Sequence, residues 1–116
     1  MSTIKHPFGA VDTKTLTASG VQAVAITDQL TVIDGITTLQ TAATTLNLTI
    51  GSEVTVGALL HIRRKTNHGT AGNRAFTFGD GITADAYTPA DDKAWFATFI
   101  YNGTAFVPAG AIYVEA

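Results

Sequence analysis

Residues 94–107, AWFATFIYNGTAFV, alternate two sets of side chains, neither of which is suited to water. In an extended strand Trp95, Ala97, Phe99 and Tyr101 share one face and Ala94, Phe96, Thr98 and Ile100 the other, because successive side chains point to opposite sides. A strand that is largely apolar on both sides packs against something on each. Asn102-Gly103 sits where the chain must turn, and both residue types accept the positive φ that a two-residue type I′ hairpin needs. The segment therefore reads as a hairpin built into a β core.

The rest of the chain has the same texture. Short runs rich in Thr, Val, Ile and Leu, separated by turn residues, predict strands at 13–18, 21–26, 30–33, 45–50, 58–65, 75–78, 94–101, 104–107 and 111–115. Residues 45–50 alternate cleanly, with Leu46, Leu48 and Ile50 inward and Thr45, Asn47 and Thr49 outward. Ile36, Leu39, Ala43 and Leu46 also fit a helical spacing that Asp34 could cap, but Thr37, Thr38, Thr41, Thr44 and Thr45 favour strand or loop. Three Asx-Gly pairs, Asp34-Gly35, Asp80-Gly81 and Asn102-Gly103, predict tight returns and hence antiparallel pairing throughout. The expected fold is an all-β antiparallel β-sandwich, jelly-roll-like, at residues 10–116. An extended N-terminal arm at 1–9 precedes it, carrying Ile4, His6, Pro7 and Phe8.

Composition narrows the function. Only 14% of the 116 residues are charged, against about 25% in an ordinary soluble domain, while 46% are hydrophobic. A surface this poor in charge is neutral, or hidden against other chains. A net charge of −2 gives no electrostatic case for nucleic acid. The sequence contains no cysteine, which removes disulfides, thiol catalysis and Cys-ligated zinc. No apolar run has the length of a membrane span or a signal peptide, so a soluble protein with no membrane partner is expected.

Candidate chemistry is sparse. His6, His61 and His68 lack the spacing of a zinc site, and His61 shares a strand face with Arg63 and Lys65, where a structural or solvent-facing role is expected. Asp80, Asp85, Asp91 and Asp92 concentrate acids but lack a calcium-loop pattern. No serine sits in a nucleophile elbow, and the two glutamates, Glu53 and Glu115, make no glycosidase pair. The expectation is a protein that is not an enzyme and takes no cofactor or metal. Arg63, Arg64, Lys65 and Arg74 cluster on one strand and its following loop, where they could pair with the later acidic loop or with a partner surface. The loops at 67–73 and 83–93 are the places for binding contacts.

The neutral Thr/Ala/Gly-rich strands of residues 13–50, the unit GSEVTVGALLHIRRKT at 51–66 and the closing FIYNGTAFVPAGA at 99–111 together resemble the small all-β virion proteins of tailed bacteriophages, of the capsid-decoration and head-fibre type. The resemblance is one of texture over most of the chain and of motif only in the last hairpin, Tyr101, Asn102-Gly103-Thr104 and Phe106. It implies a structural subunit on the capsid surface of a virion, a homo-oligomer with a trimer favoured, whose partner is the major capsid protein or another virion protein. Ile4, His6, Pro7 and Phe8 would anchor it, with Arg63, Arg64, Lys65 and Arg74 as further contacts. A carbohydrate- or receptor-binding module at a fibre tip is the alternative.

Overall fold

The computed structural model describes residues 11–66, 75–89 and 92–115. Among them lie nine strands: β1 (Val11–Thr15), β2 (Gly20–Ile26), β3 (Leu30–Gln40), β4 (Thr44–Ile50), β5 (Leu59–Thr66), β6 (Phe76–Phe78), β7 (Ala94–Tyr101), β8 (Phe106–Pro108) and β9 (Tyr113–Val114). Each run expected from the sequence overlaps one of them. β3 continues to Gln40, so Ile36 and Leu39 belong to a strand, and the β-branched residues prevail over the helical spacing.

The strands alternate between two sheets. β1, β3 and β5 lie side by side in one, extended by β7 and then by β8 and β9; β2, β4 and β6 form the other. Pairing is parallel from β1 to β3 to β5 and from β2 to β4 to β6. The chain thus winds through three coils, β1–β2, β3–β4 and β5–β6, each stacked on the one before, in the manner of a short β-solenoid. Antiparallel pairing enters with β7, which runs against β5 and carries β8 and β9 on its far edge.

The all-β class and the two facing sheets stand; antiparallel pairing throughout does not, and these parallel pairings do not make jelly-roll connectivity. The error has a local cause in the Asx-Gly pairs. Asp34-Gly35 lies inside β3 and is no turn at all. Asp80-Gly81 does turn, with Ile82 N–H donating to Gly79 O at 3.3 Å, but the chain there still tracks β4, since Leu48 N–H donates to Asp80 O at 2.7 Å. Asn102-Gly103 alone closes a hairpin. Its loop has four residues between paired Tyr101 and Phe106, and the Asn102 side chain accepts from the amides of Thr104 and Ala105 at 2.9 and 3.0 Å.

One hydrophobic core fills the space between the sheets. Ile33, Leu60, Ile62, Trp95 and Phe99 enter from the larger sheet and Ile26, Leu46, Leu48, Phe76 and Phe78 from the smaller. The aromatic rings bridge the layers: Trp95 meets Phe76 edge-on with centroids 5.0 Å apart, and Phe78 lies 5.3 Å from Phe99. Such pairs add stabilisation beyond the area they bury.

The corners between strands are held partly by backbone bonds from coil to coil, such as Thr41 N–H to Ala18 O at 2.9 Å, and partly by long polar side chains that serve the amides and carbonyls left over. All three glutamines of the sequence serve here. Gln22 accepts from the Thr17 amide at 3.0 Å and donates to Ser19 O at 3.0 Å, and Gln40 donates to Ala42 O and Ala75 O at 2.9 and 3.2 Å. At the opposite end Gln29 donates to Glu53 O at 2.7 Å and accepts from the amide and hydroxyl of Thr55.

Candidate functional site

Parallel, in-register pairing turns the outward faces of both sheets into continuous rows. On the larger sheet Val11, Leu30, Leu59, Ile100 and Val107 stand side by side across five strands. The row is apolar from end to end, and Val11 is 51% exposed and Ile100 38%. Beside it lies a groove of about 350 Å³, lined by Leu30, Val56, Ala58, Leu59, Gln29 and His61. Val56, on the loop between β4 and β5, is 71% exposed.

The next row is mixed: Thr13, Val32, His61 and Thr98. His61 Nδ1 lies 3.1 Å from Thr98 Oγ1, a cross-strand contact that fixes the ring in the position expected for a structural histidine. The third row is Thr15, Asp34, Arg63, Phe96 and Tyr113. Arg63 Nη2 donates to Asp34 Oδ2 at 3.1 Å, and the Phe96 and Tyr113 rings lean together at 5.8 Å. The Asp34 carboxyl is held below its usual value of 3.8, first by the Ile36 amide, which donates to Oδ1 at 2.9 Å, and then by the Arg63 guanidinium. Polarity therefore changes along the strands, from aliphatic at one end to charged and aromatic at the other.

The smaller sheet presents a different outward face. Val21, Thr45 and Thr77 form one row, Ala23 and Asn47 a second, Ala25 and Thr49 a third. None of these side chains ionises, and Val21 is 73% exposed.

The basic cluster separates into three environments. Arg63 is exposed and paired with Asp34; Lys65 reaches Asp92 Oδ1 at 3.8 Å, the contact with the acidic loop that the sequence suggested. Arg64, expected as a partner contact, has no exposed surface. The strand's alternation turns it inward between exposed Arg63 and half-exposed Lys65, and its guanidinium binds oxygens of the two preceding coils, at and beside their corners. Nη2 donates to Thr17 O at 2.7 Å, and to Ala18 O and Thr44 Oγ1 at 3.3 Å; Nη1 donates to Thr38 O at 3.1 Å. Burial lowers its pKa to about 10, so it stays charged at neutral pH. Its role is internal, and it is corrected from a contact to a coil staple.

Gly35 is small for the same reason. A Cβ there would lie 2.5 Å from Arg64 Cδ, 3.0 Å from Arg63 O and 3.0 Å from Leu16 Cδ1.

Ile4, His6, Pro7, Phe8 and Arg74 lie outside the described residues, as do residues 67–73 and Asp91. Asp80, Asp85 and Asp92 are exposed, and among the described residues no three His, Cys, Asp or Glu side chains gather as metal ligands. Trp95 is fully buried in the aromatic core, the packing role its apolar strand implied.

Sequence reasoning missed the outward row and the glutamine staples. The row is invisible without the parallel register, whereas the glutamines carried a faint signal: each stands in, or within two residues of, a break between predicted strands, in a chain with few other long polar side chains.

The chain matches no protein-family model, no curated protein and no solved structure.

Proposed function

We propose that the chain is a structural virion protein, a capsid-decoration or head-fibre subunit that docks on the capsid surface as a homo-oligomer, with three copies favoured. The observation that carries the reading is the uncharged outward face of the smaller sheet, Val21, Ala23, Ala25, Thr45, Asn47, Thr49 and Thr77. Small neutral side chains on a flat ladder pack closely against another protein without desolvating charge, which suits the core of an interface. Two strands of seven residues and one of three cover only roughly 270 Å², well below the ~800 Å² per partner of a standard stable interface. One copy would hold weakly. Several copies joined in one oligomer hold together by avidity, and this supports the multimeric reading.

The test is co-sedimentation of the purified chain with shells assembled from the capsid protein of the same virion, beside a mass measurement of the free chain. An oligomer that pellets with shells is expected. Ala23→Glu with Thr45→Glu, both outward, should leave the circular dichroism unchanged and weaken shell binding at least tenfold. A monomer that never pellets overturns the reading.

The fibre-tip alternative finds support in one place, the outward pair Phe96 and Tyr113 beside Arg63 and Asp34, since aromatic faces next to planar polar groups suit sugar rings. Glycan binding that Tyr113→Ala abolishes, without shell binding, would favour it.

A further inference from the structure

Asn102-Gly103 closes the hairpin between β7 and β8, and its own atoms are also placed to react with one another. We propose that Asn102 is a self-modification site of the folded chain: the Gly103 nitrogen displaces the side-chain amide as ammonia, and water then leaves an aspartyl or isoaspartyl residue. The inference is independent of what the protein assembles with.

The reaction needs no reagent but water. Gly103 N gives up its proton and bonds to Asn102 Cγ; the Cγ–Nδ2 bond breaks, and ammonia carries that proton away from a five-membered imide. Water then opens the ring at Cγ, giving the aspartyl form, or at the main-chain carbonyl, giving the isoaspartyl form. Nothing is oxidised or reduced. Each requirement is met at this turn. Asn102, Gly103 and Thr104 are exposed, so water and hydroxide reach them. Gly103 has no Cβ to shield its nitrogen and sits at a φ of 101°, which glycine adopts freely. Among the described residues its N–H has no acceptor, so no bond is given up when it attacks. Asn102 Oδ1 accepts from Thr104 and Ala105 N–H at 2.9 and 3.0 Å. An oxygen reaching those amides belongs to a side chain folded forward over its own C-terminal peptide bond, the direction in which the ring closes. The same two donors face the oxygen on which negative charge develops during attack.

Asn47 supplies the contrast within the same molecule. It is half-buried inside β4, its neighbour Leu48 is buried and branched, and the Leu48 N–H is committed to Asp80 O at 2.7 Å. No free nitrogen stands beside its side chain. At Asn102 the outcome is a carboxylate where an amide stood. In the aspartyl form the Thr104 and Ala105 amides still have an oxygen to bind, now a charged one, and such bonds are stronger. The isoaspartyl form sends the main chain through Cβ and Cγ, which lengthens it and displaces the Asn102 N–H from Ala105 O, its partner at 3.0 Å. Either charge arises at the rim of the aliphatic groove. A Cβ on Gly103 would lie 3.3 Å from Val56 Cγ2, and the adjoining Gly57 N–H donates to Tyr101 O at 2.9 Å.

The experiment is peptide mapping by mass spectrometry of the full chain, incubated over a series of neutral to mildly alkaline pH values in heavy-oxygen water, with isoaspartate assayed separately. Conversion at Asn102 is expected at least tenfold faster than at Asn47, faster as pH rises, with heavy oxygen incorporated and both isomers present. In urea below the unfolding transition the rate should change less than twofold, whereas a route through the unfolded chain would climb with the unfolded population. Asn102→Gln, whose longer side chain cannot close the five-membered ring, should slow loss of ammonia at this position at least tenfold. An Asn102 amide that persists as long as that of Asn47 overturns the proposal. So does the aspartyl form without the isoaspartyl, which would mean direct hydrolysis, or a rate that climbs with urea.

Discussion

Replacing Arg64 by Met tests whether the buried guanidinium holds the coils together or is merely tolerated. The substitution keeps most of the volume and removes the charge and all donors. Two of the lost hydrogen bonds are well made, to Thr17 O at 2.7 Å and Thr38 O at 3.1 Å; those to Ala18 O and Thr44 Oγ1, at 3.3 Å, are marginal. A hydrogen bond from a charged donor contributes about 1.5–3 kcal/mol net. Thr17 and Thr38 are exposed as residues and the bonds to their carbonyls only part-buried, so water is close at hand once the guanidinium is gone. The low end therefore applies, about 3 kcal/mol for the two. Against this, removing a buried cation recovers part of its desolvation cost, which in other proteins has made apolar replacements of buried ions stabilising. Carbonyl oxygens from two coils already offset much of that cost here, and the net expectation for Arg64→Met is a loss of about 2 kcal/mol. Arg64→Ala adds a cavity and should lose about 4 kcal/mol, a large share of the ~5–15 kcal/mol that a domain has in total. Urea unfolding followed by Trp95 fluorescence reads both, with an unchanged slope confirming comparable states. A Met variant as stable as the parent, or more so, would refute the staple.

Two further outcomes follow from the same region. Gly35→Ala should cost about 2 kcal/mol by overpacking, most severely against Arg64 Cδ, and the penalty should shrink in an Arg64→Ala background, where the Arg63 O and Leu16 Cδ1 contacts remain; an additive double mutant would dissociate the two residues. Asp34 has a folded pKa below its unfolded value, so the unfolded state binds the extra proton first, and the contribution is full above about pH 4 and lost as pH falls through the folded value. Asp34→Asn should flatten the acid limb of stability against pH, and identical limbs in the two proteins would show that Arg63 and the Ile36 amide do not hold this carboxylate.

Element identity was legible in the sequence because β-branched and aromatic runs report locally on a half-buried ladder. Strand pairing was not. Val11 pairs with Leu30 and Leu30 with Leu59, a step of 19 residues and then one of 29, so no fixed period announces the coils. Asp34-Gly35 misled for a reason that only packing reveals: its glycine makes room for an arginine 29 residues later, not for a turn. Alternation did predict that Trp95, Ala97 and Phe99 would share a face. Applied to Arg63, Arg64 and Lys65 it sends the middle residue inward, but a run of three cations reads as surface until the corner carbonyls that receive Arg64 are in view. Outward rows of neutral and aliphatic residues were legible only in aggregate, as a low proportion of charge.

The inward ladders bear on the direction that the proposed association would take, sideways rather than end to end. Read across the larger sheet from its first strand, one ladder passes Asp12, Thr31, Leu60 and Phe99, and the next Lys14, Ile33, Ile62 and Ala97. In the smaller sheet one such ladder is Gln22, Leu46 and Phe78. Each begins polar in the first coil and becomes apolar within the stack. Asp12 and Lys14 pair at 3.1 Å where a core residue would otherwise stand, and Gln22 turns back onto its own corner. Inward-pointing charge on an outermost strand is a recognised defence against edge-to-edge addition, since a further coil would have to bury it. The same strands carry their apolar residues on the outside, Val11 on β1 and Val21 on β2. At these positions of the first coil the usual distribution is thus inverted, with Asp12, Lys14 and Gln22 directed into the stack and Val11 and Val21 away from it, while Leu16, Val24 and Ile26 still enter the core. Among the described residues, an end costly to extend and two flanks with neutral rows would favour the outward sheet faces for the proposed contact.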